Sequence, residues 1–378
     1  MLIIDAHLDL AWNALQWTRD LTLSVSTIRT LEAATPGKGR ALGTVALPQL
    51  RQGRVALCFA TLLARSTGHV VPHLDYPSAA QAYGTAHGQL AYYRALERAG
   101  HVRIVGDLPA LEQHLAEWQA WDAAAASPAA ILDSIASGDA AGGGSPPPGL
   151  VISMEGADPI LEPGQLAAWW AAGLRLIGLT HYGPGRYAGG TGTELGLGPA
   201  GPALLAEMQR LGIALDLTHC SDQAFWQALH AFGGPVLASH NNCRALVSHQ
   251  RQFDDAQLRA IIERDGVIGV ALDAWMLQPG WVAGAQTNAA VGLATVVDHI
   301  DHICSLAGNS RHVAIGSDLD GGFGREQSPH DLDTVADLQK LRPLLAERGY
   351  SESDIAAIMH GNWLRLLRGA WAASGEQP

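Results

Sequence analysis

Eight short apolar runs, rich in β-branched residues, punctuate the chain: Leu2–Asp5, Val55–Leu62, Leu150–Met154, Leu174–Leu179, Ile213–Leu217, Pro235–Ala238, Val267–Ala271 and Val313–Gly316. Most are continuous and do not alternate apolar with polar positions. A strand covered on both faces has this pattern, so the runs predict a buried parallel sheet. Helical patterns separate most of them, at Tyr76–Ala99, Pro163–Ala172, Pro202–Leu211, Asp222–Phe232, Asp255–Asp265 and Ala289–Leu306. Asp222 and Asp255 read as first-turn acids at the positive ends of their helix dipoles. Strand–helix alternation repeated eight times predicts a (β/α)8 TIM-type barrel, as one domain over residues 1–378. A doubly wound open sheet is the competing arrangement. No GxGxxG follows the first run, which weighs against it.

Two stretches break the rhythm. An insertion near 123–149, following the short run Val102–Val105, is rich in Ala, Gly, Ser and Pro and ends GGGSPPP. Its last part, Ser137–Pro148, is predicted to be a mobile surface loop, because it lacks the apolar content to offset the entropy of ordering. The segment Ser351–Gly369 is predicted to be a helix pair opened by SESD, an N-cap with an acidic first turn.

Composition narrows the function. Hydrophobic residues make up 48% of the 378 and charged residues 16%, a core-rich balance that argues against disorder. The formal net charge of −12 disfavours a nucleic-acid partner. No uninterrupted apolar run reaches membrane-spanning length, and the opening MLIIDAHLDL lacks a basic n-region and a cleavage site, so neither membrane span nor signal peptide is expected. Cys58, Cys220, Cys243 and Cys304 lie far apart without a CxxC pair. That argues against a disulfide framework or thiolate zinc site and fits a reducing cytoplasm.

The chemistry stands at the ends of the predicted strands. Asp5, His7 and Asp9 follow the first, Glu155 the third, His181 the fourth, Asp216 and His219 the fifth, His240 the sixth, and Asp318 and Asp320 the last. A barrel gathers these ends at one mouth. Taken singly, each has a bland reading: a hydrogen-bonded histidine, or an acid in an ordinary turn. Together, so many buried titratable groups are costly unless a metal compensates them. His7 and Asp9, two apart on an extended strand, point to the same side and can hold one cation. Two further histidines from adjacent strands can hold another, with Glu155 as the bridge. Imidazole and carboxylate donors suit Zn2+, with Mn2+, Co2+ or Fe2+ as alternatives. Two such ions share a hydroxide that is nucleophilic near neutral pH.

The blocks DAHLD at the N-terminus, SMEGAD at 153–158, LTHYG at 179–183, LTHCSD at 217–222, ASHNNCRALVSHQRQFDD at 238–255, IGSDLDG at 315–321 and HGNWLRLL at 360–367 resemble, in order and spacing, the membrane dipeptidase (renal dipeptidase) family of zinc metallopeptidases, peptidase family M19. The resemblance implies that His7 and Asp9 bind one zinc, Glu155 bridges, and His219 and His240 bind the second. It implies that His181 contacts the scissile carbonyl or its oxyanion and that Arg251 binds the substrate carboxylate. Asp318 would lie beside the metals, handling a proton or the substrate amine. His69, His73, His249 and His360 are not expected to be ligands, and Asp320 is either support for the site or a turn residue. The long insertion and the segment HYGPGRYAGGTG depart from the family pattern and bear on substrate choice more than on metal chemistry.

The implied activity is hydrolysis of dipeptides with free termini, with tolerance of a D-residue at the C-terminal position and a homodimeric state. The alternatives are a metal-dependent amidase, lactonase or deaminase on a non-peptide substrate, and a non-catalytic metal-binding barrel.

Overall fold

The computed structural model describes residues 1–124 and 144–374. Its nine strands are β1 (Ile3–Leu8), β2 (Val55–Leu63), β3 (Arg103–Ile104), β4 (Gly149–Glu155), β5 (Leu174–Gly178), β6 (Ala214–Asp216), β7 (Val236–Ala238), β8 (Val267–Val270) and β9 (Val313–Ile315). The described helices are α1 (Leu10–Leu15), α2 (Val25–Leu31), α3 (Leu47–Gln52), α4 (Ala79–Arg98), α5 (Leu108–Ala124), α6 (Leu166–Ala171), α7 (Gly201–Leu211), α8 (Asp222–Ala231), α9 (Asp255–Glu263), α10 (Ala274–Leu277), α11 (Leu293–Ala307), α12 (Leu341–Glu347), α13 (Glu352–Ala356) and α14 (Asn362–Ser374).

Eight strands run parallel in the order β1-β2-β4-β5-β6-β7-β8-β9, while β3 pairs with β4 off this path. The last seam, between β9 and β1, is bridged by Asp5, which accepts from Ser317 N at 2.8 Å and Ser317 Oγ at 2.5 Å. This is the (β/α)8 barrel that the alternation predicts. All eight predicted strands are present: β5 to β9 are a residue shorter at one or both ends, β2 and β4 run longer, and β1 begins one residue later and ends three later. β2 is buried at every position, as its unbroken apolar run requires.

Inward-facing positions decide which end of the barrel is open. Ile4, Leu57, Phe59, Val151, Leu176, Ala214, Leu237, Val267 and Ala314 form the inner core, and Trp363, Leu364, Leu367 and Trp371 of α14 plug it from below. Trp363 donates its Nε1–H to Ile315 O at 2.8 Å and meets Phe59 edge-on, with ring centroids 5.2 Å apart. The alternation along β4 then carries Val151 in the core to Glu155 at the opposite, open end.

The helix starts follow their sequence signals. Ser221 caps α8 and Asp254 caps α9 with a capping box, leaving Asp222 and Asp255 in the first turns. Ser351 caps α13 in the same way.

The C-terminal helix pair is corrected. α13 runs into a π turn, Ala357–Gly361, and on into α14, so the segment is one helical stretch with a bulge. Asn362 fixes the bulge to the barrel by donating to Ser310 O and Val313 O. Helices α1 to α3, α5, α10 and α12 are additions that the sequence patterns did not mark. Of the insertion near 123–149, residues 125–143 lie outside the described residues, so the predicted loop Ser137–Pro148 is described only from 144. There Pro147 O accepts from Trp118 Nε1 at 3.1 Å. Among the described residues, no helix is long and apolar enough to cross a membrane.

Candidate metal centre

Every residue singled out at a strand end in β1, β4, β5, β6, β7 and β9 lies at the open mouth or just beneath it. Glu155 is the hub. Its Oε2 lies 3.5 Å from His7 Nε2. Its Oε1 lies 3.1 Å from His219 Nε2, 3.3 Å from His240 Nε2 and 3.6 Å from His181 Nε2. His7 Nε2 also lies 3.9 Å from Asp9 Oδ1 and 3.8 Å from Asp318 Oδ1. Asp9, Glu155, His7, His219 and His240 are all buried. His7 Nε2, Asp9 Oδ1 and Glu155 Oε2 have no hydrogen-bond partner. Buried polar atoms left unpaired are expensive, so three converging on one point fit a cation held there.

Three overlapping groups have ligand atoms close enough for one ion: His7/Asp9/Glu155, Glu155/His181/His219 and His7/His240/Asp318. His69, His73, His249 and His360 stand in none of them. Distance alone does not separate ligands from neighbours; the partner of the other ring nitrogen does. His219 Nδ1 faces Thr191 Oγ1 at 3.1 Å, and His240 Nδ1 faces Ser239 Oγ at 2.8 Å. A hydroxyl oxygen can accept an Nδ1–H, and in that tautomer the Nε2 lone pair is free for a metal. His181 differs: its Nδ1 faces Arg65 Nη1 at 3.1 Å.

The electrostatics reflect the crowding. Burial opposes charge on His7, yet the carboxylates of Glu155, Asp9 and Asp318 outweigh it and lift its pKa to about 10. Burial and the Glu155 charge lift Asp9 to about 7, against the pull of His7. Burial raises Asp318 well above the usual carboxyl range, helped by Glu155 and Asp9 and opposed by His7. Burial lowers His219 and His240, and brings His181 to about 4.

The backbone is bent to make the site. His219 and Asp318 have φ of 67° and 56°, in the left-handed region that non-glycine residues rarely enter. At Gly316 on the chain leaving β9, a Cβ would stand 1.7 Å from Ser239 O. Only glycine lets the segment carrying His240 approach so closely.

Arg251 is no solvent-facing loop charge. It is 2% exposed, with Nη1 donating to Asn241 Oδ1 at 2.7 Å and Nη2 to His240 O at 2.9 Å. Asp320, which the sequence leaves open between support and turn, is anchored beneath the site. Its carboxylate accepts from Thr44 N, Thr44 Oγ1, Val45 N and Arg19 Nη1. Asn13 then ties Asp320 O to Asp9 O. Above the cluster opens a cavity of about 210 Å³, with Asp9, Glu155, His181, Arg251 and Asp318 in its lining and Trp12, Tyr182 and Trp275 as aromatic walls.

The sequence model of the membrane dipeptidase family, peptidase family M19, matches residues 1–377. The chain belongs to this family. Its class is therefore that of the metallo-dipeptidases, hydrolases of the peptide bond. An uncharacterized protein of Klebsiella pneumoniae is 34% identical over 59% of this chain and 82% of its own length. An uncharacterized dipeptidase of Schizosaccharomyces pombe and the dipeptidase aclJ of Aspergillus oryzae are each 33% identical over 58% of this chain. This chain spans only 52% of either of those two. In fold, it resembles the M19 metallopeptidase dipeptidase AC, with a TM-score of 0.73 and 24% identity over 98% of this chain and 99% of that one. A Rhodobacter sphaeroides metallopeptidase liganded with a phosphinate mimic of L-Ala-D-Ala scores 0.72 at 24% identity, with the same coverage.

Two residues of the cavity were missed from the sequence. Arg65 lies two positions past β2 and Asp273 three past β8, and both line the cavity. The strand-end rule that found the others identifies these too, once applied to the second and seventh predicted strands.

Proposed function

We propose that this protein is a dinuclear metal-dependent dipeptidase that reads the free ends of its substrate. The observation that carries the reading is Glu155, one oxygen facing His7 and the other facing His219 and His240, all within 3.5 Å. One carboxylate shared by two imidazole sets is the donor arrangement of a two-ion site. His7, Asp9 and Glu155 would hold one ion, and Glu155, His219 and His240 the other. Imidazole and carboxylate donors favour Zn2+, with Mn2+, Co2+ or Fe2+ as alternatives. When bound, such ions supply Lewis acidity and lower the pKa of water toward 7, so that a nucleophile exists near neutral pH.

The chain's own groups then bind, orient and move protons. Water adds across the peptide link: a C–O bond forms, the C–N bond breaks, and the nitrogen leaves with the electron pair and takes a proton. His181, with Nε2 turned toward Glu155, donates to the carbonyl oxygen as negative charge builds there. Asp318, beside His7, carries the proton to the departing nitrogen. Arg251 pairs with the substrate's C-terminal carboxylate. Two of its five N–H donors serve Asn241 and His240, and the others remain for a ligand.

The proposal extends to a D-residue at the C-terminal position, supported by the L-Ala-D-Ala mimic bound to the Rhodobacter protein. It extends also to a cytoplasmic homodimer, the location supported by four free cysteines and the dimer by family resemblance. The test is a panel of free dipeptides, with both configurations at each position, set against lactones and cyclic amides on zinc-reconstituted protein. Cleavage of dipeptides, D-terminal ones included, is expected. Turnover of the lactones or cyclic amides alone would transfer the site to the amidase and lactonase reading.

A further inference from the structure

We infer that Arg65 is a positioning residue, which fixes His181 in the tautomer that donates from Nε2 into the cavity. The inference rests on the dipeptidase reading above for what His181 does, but not for which tautomer it holds.

Arg65 reaches His181 from the end of β2. The backbone there is pinned, since Arg65 N donates to Leu74 O at 2.9 Å and Tyr76 N donates to Arg65 O at 2.8 Å. Its side chain is 10% exposed, and Asp75 Oδ2 lies 3.4 Å from Nη2. Asp75 is itself held by Thr67, whose N and Oγ1 donate to it at 3.0 and 2.6 Å. Nη1 then lies 3.1 Å from His181 Nδ1 and 3.4 Å from Tyr182 O. The guanidinium is therefore aimed, not floating.

A guanidinium has donors and no acceptor. At the Arg65 contact, Nδ1 must be the acceptor, and neutral imidazole then carries its single proton on Nε2. That atom faces Glu155 Oε1 at 3.6 Å, on the cavity side. A protonated Nε2 cannot ligate a metal, but it can donate to a carbonyl oxygen. His219 and His240 have a hydroxyl at Nδ1 instead, a partner that can take an Nδ1 proton and so permits the opposite tautomer. Three histidines around one carboxylate are thus sorted into two ligands and one donor by what stands behind each ring.

The test combines side-chain 15N spectra with kinetics on zinc-loaded full-length protein, using wild type, Arg65→Met, Arg65→Lys, His181→Ala and the Arg65→Met/His181→Ala double variant. The His181 signals are assigned by their loss in His181→Ala. Expected are a protonated-type Nε2 and an unprotonated-type Nδ1 in wild type and in Arg65→Lys, which keeps a donor-only group. Arg65→Met should lose this pattern and lower kcat by about 10²-fold, the size of one oxyanion donor. Metal content and KM should hardly change, Arg65→Lys should recover most of the rate, and Arg65→Met should cost little further once His181 is absent. A proton on Nδ1 in wild type would overturn the inference, as would an unchanged tautomer in Arg65→Met. So would an equal Arg65→Met loss with and without His181, the mark of direct action on substrate. If His181→Ala turned over normally, the role proposed for His181 would fall, while the spectra would still decide what Arg65 does.

Discussion

The Nε2 atoms of His219 and His240 stand 3.1 Å apart, both turned to the same Glu155 oxygen. In the tautomers where Thr191 and Ser239 take the Nδ1 protons, two imidazole lone pairs face each other. Without a cation that approach is repulsive; with one it is a pair of ligands. Because Glu155 also serves His7, Glu155→Ala should release more metal than His219→Ala or His240→Ala. Elemental analysis of the three purified variants reads this directly. A Glu155→Ala protein with wild-type metal content would remove the bridge.

His181→Ala should keep its metal and lower kcat by roughly 10²–10³-fold, the range for removing one oxyanion donor. Metal content and single-turnover rate, measured on one preparation, decide it. Loss of metal would make His181 a ligand.

Arg251→Ala should abolish discrimination between a free dipeptide and its C-terminal amide. A hydrogen bond to a charged group contributes roughly 1.5–3 kcal/mol, so wild type should favour the acid by about ten- to a hundredfold in kcat/KM. An equal preference in both proteins would assign the carboxylate to another group.

Asp273 gives a pH prediction. Burial lifts its carboxyl from 3.8 to about 6, against the hydrogen bonds of Gln327. The native state thus holds this proton more tightly than the unfolded chain. Ionisation costs stability progressively from about pH 4 to pH 6 and by a constant amount above. Asp273→Asn should match wild type near pH 4 and exceed it by up to roughly 3 kcal/mol at pH 7. Urea melts at the two pH values measure the difference; a pH-independent one would contradict it.

The barrel was legible because its strands are buried on both faces, so their sequence is an unbroken apolar run, as in Val55–Leu62. The site was legible because inward alternation delivers Glu155, His219 and His240 to the end opposite Trp363. α5 escaped notice because only Leu111, His114, Leu115 and Trp118 face the core, and the stripe includes a histidine. Arg65 stands where the strand-end rule reaches, but a lone arginine past a strand reads as solvated, and its contact with His181 shows only in the fold. Likewise, Asp320 declares itself only through Thr44, Val45 and Arg19, which are distant in sequence.

The central claim, a two-ion dipeptidase site built on Glu155, is tested most directly by titrating Zn2+ into chelator-stripped protein while following hydrolysis of a free dipeptide. Turnover should be absent at the start, rise with added metal and level off at two ions per chain, and Glu155→Ala should not recover it. Full turnover by the stripped protein, or a plateau at one ion per chain, would contradict the account.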